Sequence, residues 1–101
     1  NINFKVSNFF SQNEIEKKTK KKFKIITALS VFYDAQEPNK FIQDVKKILS
    51  SSGIFLLEFA DLASIIQNKM FDTICHEHLE YYSVKSLKYL MDLANLKIIN
   101  I

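Results

Sequence analysis

No feature constrains this chain more than two short, almost unbroken apolar runs, residues 23–32 (FKIITALSVF) and 54–59 (IFLLEF). An unbroken run, as opposed to alternation, is what a β-strand covered on both faces requires. Between them, Asp34-Ala35-Gln36-Glu37-Pro38 breaks the first run. Pro38 suits the first turn of a helix, and Phe41, Val45, Ile48 and Leu49 follow at helical spacing. The pattern predicts a helix that ends in Ser50-Ser51-Ser52-Gly53 and a second strand from Ile54. Strand, helix and strand in so short a span imply a right-handed parallel crossover, the building unit of a doubly wound α/β sheet.

The flanking segments are read against that unit. Residues 1–10 alternate (Ile2, Phe4, Val6) and read as a strand or extended entry. Ser11 with Glu14 has the spacing of a capping box, which predicts a helix to about residue 20 with a weak apolar face at Ile15. Asp61 is placed to cap a short helix through Ile65 and Ile66. Ser83 is placed to cap another, carrying Leu87, Leu90, Met91 and Ala94. Asn95 stands where a left-handed residue ends a helix, and residues 96–101 (LKIINI) read as a final strand.

Composition narrows the function classes. A length of 101 residues with 48% apolar and 25% charged side chains suits one globular domain. The net charge of +3 arises mostly from the lysine run at 17–22, read as a solvated helix end and loop. Every basic residue is lysine, with no arginine interleaved among aromatics, so nucleic acid is not an expected partner. No apolar stretch approaches the ~18 residues of a membrane span, and no charged-then-apolar leader is visible. A lone cysteine, Cys75, forms no internal disulfide and fits a reducing compartment. The expectation is a soluble cytoplasmic protein with no membrane partner. The single glycine, Gly53, leaves no glycine-rich turn on which a nucleotide could approach the backbone.

Chemistry concentrates in Phe71-Asp-Thr-Ile-Cys-His-Glu-His-Leu-Glu-Tyr-Tyr-Ser83, which holds both histidines, the cysteine and two of the four tyrosines. The stretch has neither helical nor strand period and reads as a loop. Three roles compete for it. His76 and His78 lie on one side of an extended segment and could bind a metal with Glu58, Asp61 or Cys75, although the i, i+4 histidine pair of a helical metalloprotease is absent. Alternatively, the histidines merely satisfy buried carbonyls. In the third role one histidine takes a proton from a carbon or oxygen acid while Glu77 supports it. Ligands of open α/β sheets bind beyond the carboxyl ends of the strands. Residues 30–34, 58–61 and the His/Glu loop are therefore expected to line one pocket.

The run Ile26-Thr-Ala…Val-Phe-Tyr-Asp34, Pro38-Asn-Lys-Phe41, Ile48-Leu49…Gly53-Ile54 and Asp72-Thr-Ile-Cys-His-Glu-His78 with Tyr81-Tyr82-Ser83 resembles the C-methyltransferases of nucleotide-linked deoxysugars. The Asp-Thr-Ile-x-His-Glu-His segment is its specific part, and the likeness covers about residues 6–101. It implies a Rossmann-like class I methyltransferase fold, a three-layer parallel sheet, and S-adenosylmethionine as methyl donor. It also implies a nucleotide-linked 4-ketosugar substrate, deprotonated at the carbon beside the ketone. Carried over by position, His78 is the base and Glu77 its partner, with no metal assigned. Tyr81 or Tyr82 would donate to the enolate or the sugar, packing being the competing role for each, and His76 is structural. Ser30, Tyr33 and Asp34 match the rim that flanks the cofactor. Cys75 stands where sugar-methylating members usually carry tyrosine, which removes one phenol. The family's glycine-loop half, with its acidic ribose-binding residue, has no counterpart, nor have its zinc module and carboxyl-terminal domain. Residues 1–101 thus correspond to the carboxyl-terminal half of the methyltransferase domain. The last antiparallel strand, which such sheets insert between the second and third strands seen here, is missing too. The chain alone is expected not to bind S-adenosylmethionine tightly, and a complementary half or partner chain would complete it. The competing expectation is a non-catalytic α/β module whose open sheet pairs with a partner chain.

Overall fold

The computed structural model describes residues 21–101. The strand and helix expected over 1–20, and most of the lysine run, lie outside the described residues. Strand β1 (Phe23–Leu29), helix α1 (Pro38–Ile48) and strand β2 (Leu49–Glu58) form the strand–helix–strand unit, and β1 pairs with β2 in parallel. Helix α2 (Leu62–Gln67) and helix α3 (Val84–Leu93) follow, and a 3-10 turn (Phe71–Thr73) lies between them. A second 3-10 turn, Phe32–Asp34, follows β1.

Both strands put alternate residues to the core. Ala28 is buried, and Phe55 and Leu57 pack against a cluster of Phe32, Ile42, Tyr82, Leu87, Met91 and Ala94. That cluster draws on α1 and α3 together, so both helices cover the same side of the sheet. Across the register Ile25 faces Ile54, and the other side stays open, with Ile54 52% and Leu56 54% exposed. Among the described residues the α/β reading therefore holds as two layers. The three-layer parallel sheet does not appear in them.

Three local expectations change. First, β1 stops at Leu29, short of Phe32, because Ser30 takes a left-handed backbone (φ 50°) that turns the chain. Phe32 is nonetheless fully buried, as a core residue of the 3-10 turn. Second, Ser50–Gly53 does not end the helix as a loop. Helix α1 passes into β2 at Leu49, whose N–H donates to the Val45 carbonyl, and Ser50 to Gly53 belong to the strand. The register shifts between Phe23 and Ile25, and Gly53 lies at that irregularity. A Cβ there would fall 2.9 Å from the Phe23 carbonyl oxygen and 2.7 Å from Leu49 Cδ1. The glycine permits close strand approach, a use unrelated to nucleotide binding.

Third, residues 96–101 join no ladder, and the sheet has two strands among the described residues. The segment runs opposite β2 across an apolar groove of about 240 Å³ lined by Ile54, Leu56, Phe59, Leu96, Ile98 and Ile101, among others. Strand pairing needs backbones about 4.8 Å apart, and no ladder joins these two among the described residues.

Helix α3 forms where its caps predict. Ser83 Oγ accepts the Ser86 N–H at 3.1 Å, and the Ser83 N–H donates to Ser86 Oγ at 3.0 Å. Asn95 (φ 53°) ends it in the left-handed region. Lys46 Nζ donates to the Asn95 carbonyl at 3.1 Å, so α1 also supplies a donor to the carboxyl end of α3.

Candidate active site

The loop between α2 and α3 is rooted at one carboxylate. Asp61 Oδ2 accepts the Ser64 N–H at 3.0 Å, the amino-terminal cap of α2, while Oδ1 accepts the Val84 N–H at 3.1 Å, in the first turn of α3. Beside it the Leu62 N–H donates to the Tyr82 carbonyl at 2.8 Å. The hydrogen bond from Ser64 is the chief reason the Asp61 carboxyl is held below its ordinary 3.8, with Val84 adding to it against the opposing effect of burial. Sequence reasoning found the first cap and missed the second. The cue was a helix-start signal at each end of one loop, Asp61 and Ser83.

The loop then folds back on the end of β1. The Leu79 and Glu80 N–H groups both donate to the Tyr33 carbonyl oxygen, each at 3.1 Å. The His78 ring lies against the Tyr33 ring, with centroids 4.2 Å apart, and sits edge-on to Tyr81 at 6.1 Å. Tyr33 and His78, with Phe59 and Ala60 from the end of β2, line one small cavity of about 10 Å³, together with Ile65, Tyr81 and Tyr82. The three segments expected to share a pocket do meet there.

The remaining candidates are distributed differently. Tyr81 is half-buried, and its hydroxyl is engaged by its own loop. It accepts the Cys75 N–H at 3.2 Å and lies 3.4 Å from each of the Thr73 and Cys75 carbonyl oxygens, to which it donates. Glu77 and His76 are exposed and do not line the cavity, so the structure does not bring Glu77 to His78. Ser30 Oγ donates to Glu58 Oε1 at 2.6 Å, and its N–H donates to the Glu58 carbonyl at 3.2 Å, locking the two strand ends together. Asp34 is exposed at the same rim. Tyr82 is 7% exposed, with its ring 4.9 Å from Phe32, and its hydroxyl has no hydrogen-bond partner among the described residues. Among those residues no three His, Cys, Asp or Glu side chains converge to hold a metal ion. No described helix is long and apolar enough to cross a membrane.

A family model described as a methyltransferase domain matches residues 1–101, the whole chain. The chain belongs to the methyltransferase-domain family. This family generally uses S-adenosylmethionine. The methyltransferase-domain chain is also similar to the C-methyltransferase NovU of Streptomyces niveus, 27% identical over 78 residues. Those residues make up 77% of this chain and 19% of the relative, so the match spans about a fifth of the relative's length. No solved structure matches the chain.

S-adenosylmethionine carries cationic groups and ribose hydroxyls, for which carboxylates are the natural acceptors. The rim fits that chemistry in part: Asp34 is exposed there, beside the Ser30–Glu58 pair.

Proposed function

We propose that the chain supplies the proton-abstracting part of a C-methyltransferase acting beside a ketone of a nucleotide-linked sugar, with His78 as general base. One observation carries this reading: the His78 imidazole sits at the joined carboxyl ends of β1 and β2, against Tyr33, in the lining of a cavity. That is where open α/β sheets receive ligands. The resemblance of the Asp72–His78 segment and the similarity to NovU support carbon as the acceptor atom.

An unprotonated nitrogen of His78 takes the proton from the carbon next to the ketone. The C–H electron pair becomes a carbon–carbon double bond, and the carbonyl π pair moves to oxygen. S-adenosylmethionine, when bound, supplies an electrophilic methyl group, whose transfer to that carbon restores the ketone and leaves a thioether. Ser30 and Asp34 would hold the polar end of that donor, and Tyr33 serves His78 by packing against it. Glu77, exposed as it is, would act on His78 only through the field of its charge. Tyr81 braces the loop. With Gly53 occupied at the strand irregularity, tight donor binding calls for a glycine-rich half from a complementary segment or partner chain. Micromolar binding of S-adenosylmethionine to the 101-residue chain in calorimetry would refute that requirement.

The base assignment is tested by His78→Gln in the full-length protein. Loss of a positioned base lowers methyl transfer by about 10²–10⁴-fold while donor binding stays unchanged. Full activity of the variant would end the assignment. A second reading, a non-catalytic module that pairs with a partner chain, is favoured by the apolar groove beside β2. It predicts an intact partner complex whatever stands at position 78.

A further inference from the structure

The residue whose ring touches His78 also holds the chain just beyond it. The Tyr33 carbonyl oxygen accepts the Leu79 and Glu80 N–H groups, each at 3.1 Å, which fixes the two residues that follow the histidine. The Tyr33 ring meets the imidazole with centroids 4.2 Å apart and planes inclined at 46°. That spacing is closer than the roughly 4.5–7 Å usual for aromatic pairs. Tyr33 is itself set by the 3-10 turn Phe32–Asp34, whose first residue is fully buried in the core. Ring and carbonyl thus reach the base from one fixed point. Other sources of support for a charge on His78 are weaker. No ion pair to a carboxylate includes His78 among the described residues. The Tyr81 ring stands edge-on at 6.1 Å, at the limit of about 6 Å within which a ring face attracts a cation. Tyr33 is well inside that limit.

We propose that the π face of Tyr33 stabilises the imidazolium that His78 becomes when it takes the proton, which makes Tyr33 a positioning residue for the base. This rests on the reading of His78 as base, and it gives Tyr33 a role other than the cofactor contact that the resemblance implies. In the step, the C–H bond beside the ketone breaks, an N–H bond forms on His78, and the C–H pair enters the enolate. His78 passes from neutral to cationic, while Tyr33 neither gains nor loses a proton. The negative face of an aromatic ring attracts a cation more strongly than it attracts a neutral ring. The contact therefore strengthens as the charge forms, and only an interaction that strengthens towards the transition state accelerates a step. The ring carries this effect, and the Tyr33 hydroxyl has no part in it.

The experiment uses the full-length protein and a nucleotide-linked 4-ketohexose in deuterated water, without methyl donor, and follows deuterium entering the carbon beside the ketone. The wild type exchanges, and His78→Gln abolishes exchange. Tyr33→Phe, which keeps the ring, exchanges within about threefold of wild type. Tyr33→Leu keeps the carbonyl that holds residues 79 and 80 but loses the ring. Its maximal rate falls about tenfold, with KM within about threefold. Phenylalanines with increasing numbers of fluorines at position 33 keep the shape of the ring while draining negative charge from its face. Under the proposal the maximal rate falls with each fluorine towards that of Tyr33→Leu, whereas packing alone is blind to the fluorines. Rates within about twofold of Tyr33→Phe across the series, with His78→Gln silent, overturn the Tyr33 assignment and leave the base intact. No exchange by the wild type, or undiminished exchange by His78→Gln, overturns both. If Tyr33→Leu fails to fold, the fluorine series decides by itself.

Discussion

The Tyr82 phenol and the Asp61 carboxyl depart from their ordinary ionisation in opposite directions, and each sets a pH window for stability. Tyr82 is pushed up to about 12 by burial, above the ordinary 10.0 it regains on unfolding. Its contribution is complete below pH 10.0 and is lost as pH rises towards about 12, where the unfolded chain has already released the proton. Tyr82→Phe should remove this alkaline limb from the unfolding midpoint measured against pH, and leave the neutral midpoint equal or higher. Asp61 is held below 3.8, chiefly by the Ser64 N–H, so its contribution is present above that pH and fades as pH falls further. Asp61→Asn keeps one acceptor oxygen and turns an amide towards the other N–H. It should lower the melting midpoint at neutral pH and flatten the acid limb, with faster amide exchange at both Ser64 and Val84. At this scale the sequence marked Asp61 as a helix cap but not its second partner, the Val84 N–H. Side by side, Tyr81 and Tyr82 look equivalent, because nothing in a string of letters tells which hydroxyl meets the backbone of residues 73 and 75.

At the scale of elements, Gly53 decides how closely the strands approach. Gly53→Ala sets a methyl 2.9 Å from the Phe23 carbonyl oxygen, which is backbone and cannot swing aside. A loss of about 1–3 kcal/mol, read from chemical denaturation, is the expected result. Stability equal to wild type would mean the strands separate freely there. The elements legible in advance were those with redundant signals: α1 from Pro38 and its apolar stripe, α3 from Ser83 and Asn95, and the apolar body of each strand. Ser50 to Gly53 misled because serine and glycine favour turns, and only pairing with β1 makes them strand. Residues 96–101 misled for the converse reason. Apolar composition suits a strand, but a strand also needs a neighbour within hydrogen-bonding reach.

For the molecule as a whole, the segment 96–101 and the face of Ile54 and Leu56 are the parts of the sheet region left without a strand or helix against them among the described residues. Hydrogen exchange should find the amides of residues 97–101 close to unstructured-peptide rates while the paired positions of β1 and β2 are protected. Strong protection at 97–101 in the chain alone would contradict the two-stranded sheet seen among the described residues. The loop that carries the candidate site is built on another plan. The Leu62 N–H donates to the Tyr82 carbonyl at 2.8 Å, and the Val84 N–H donates to the Asp61 carboxylate at 3.1 Å, so everything from 62 to 83 departs from and returns to a single clasp. Such a stretch behaves as a cassette. Its interior can be rewritten without re-threading the strands, provided the aspartate at its root and the serine that opens the last helix are kept.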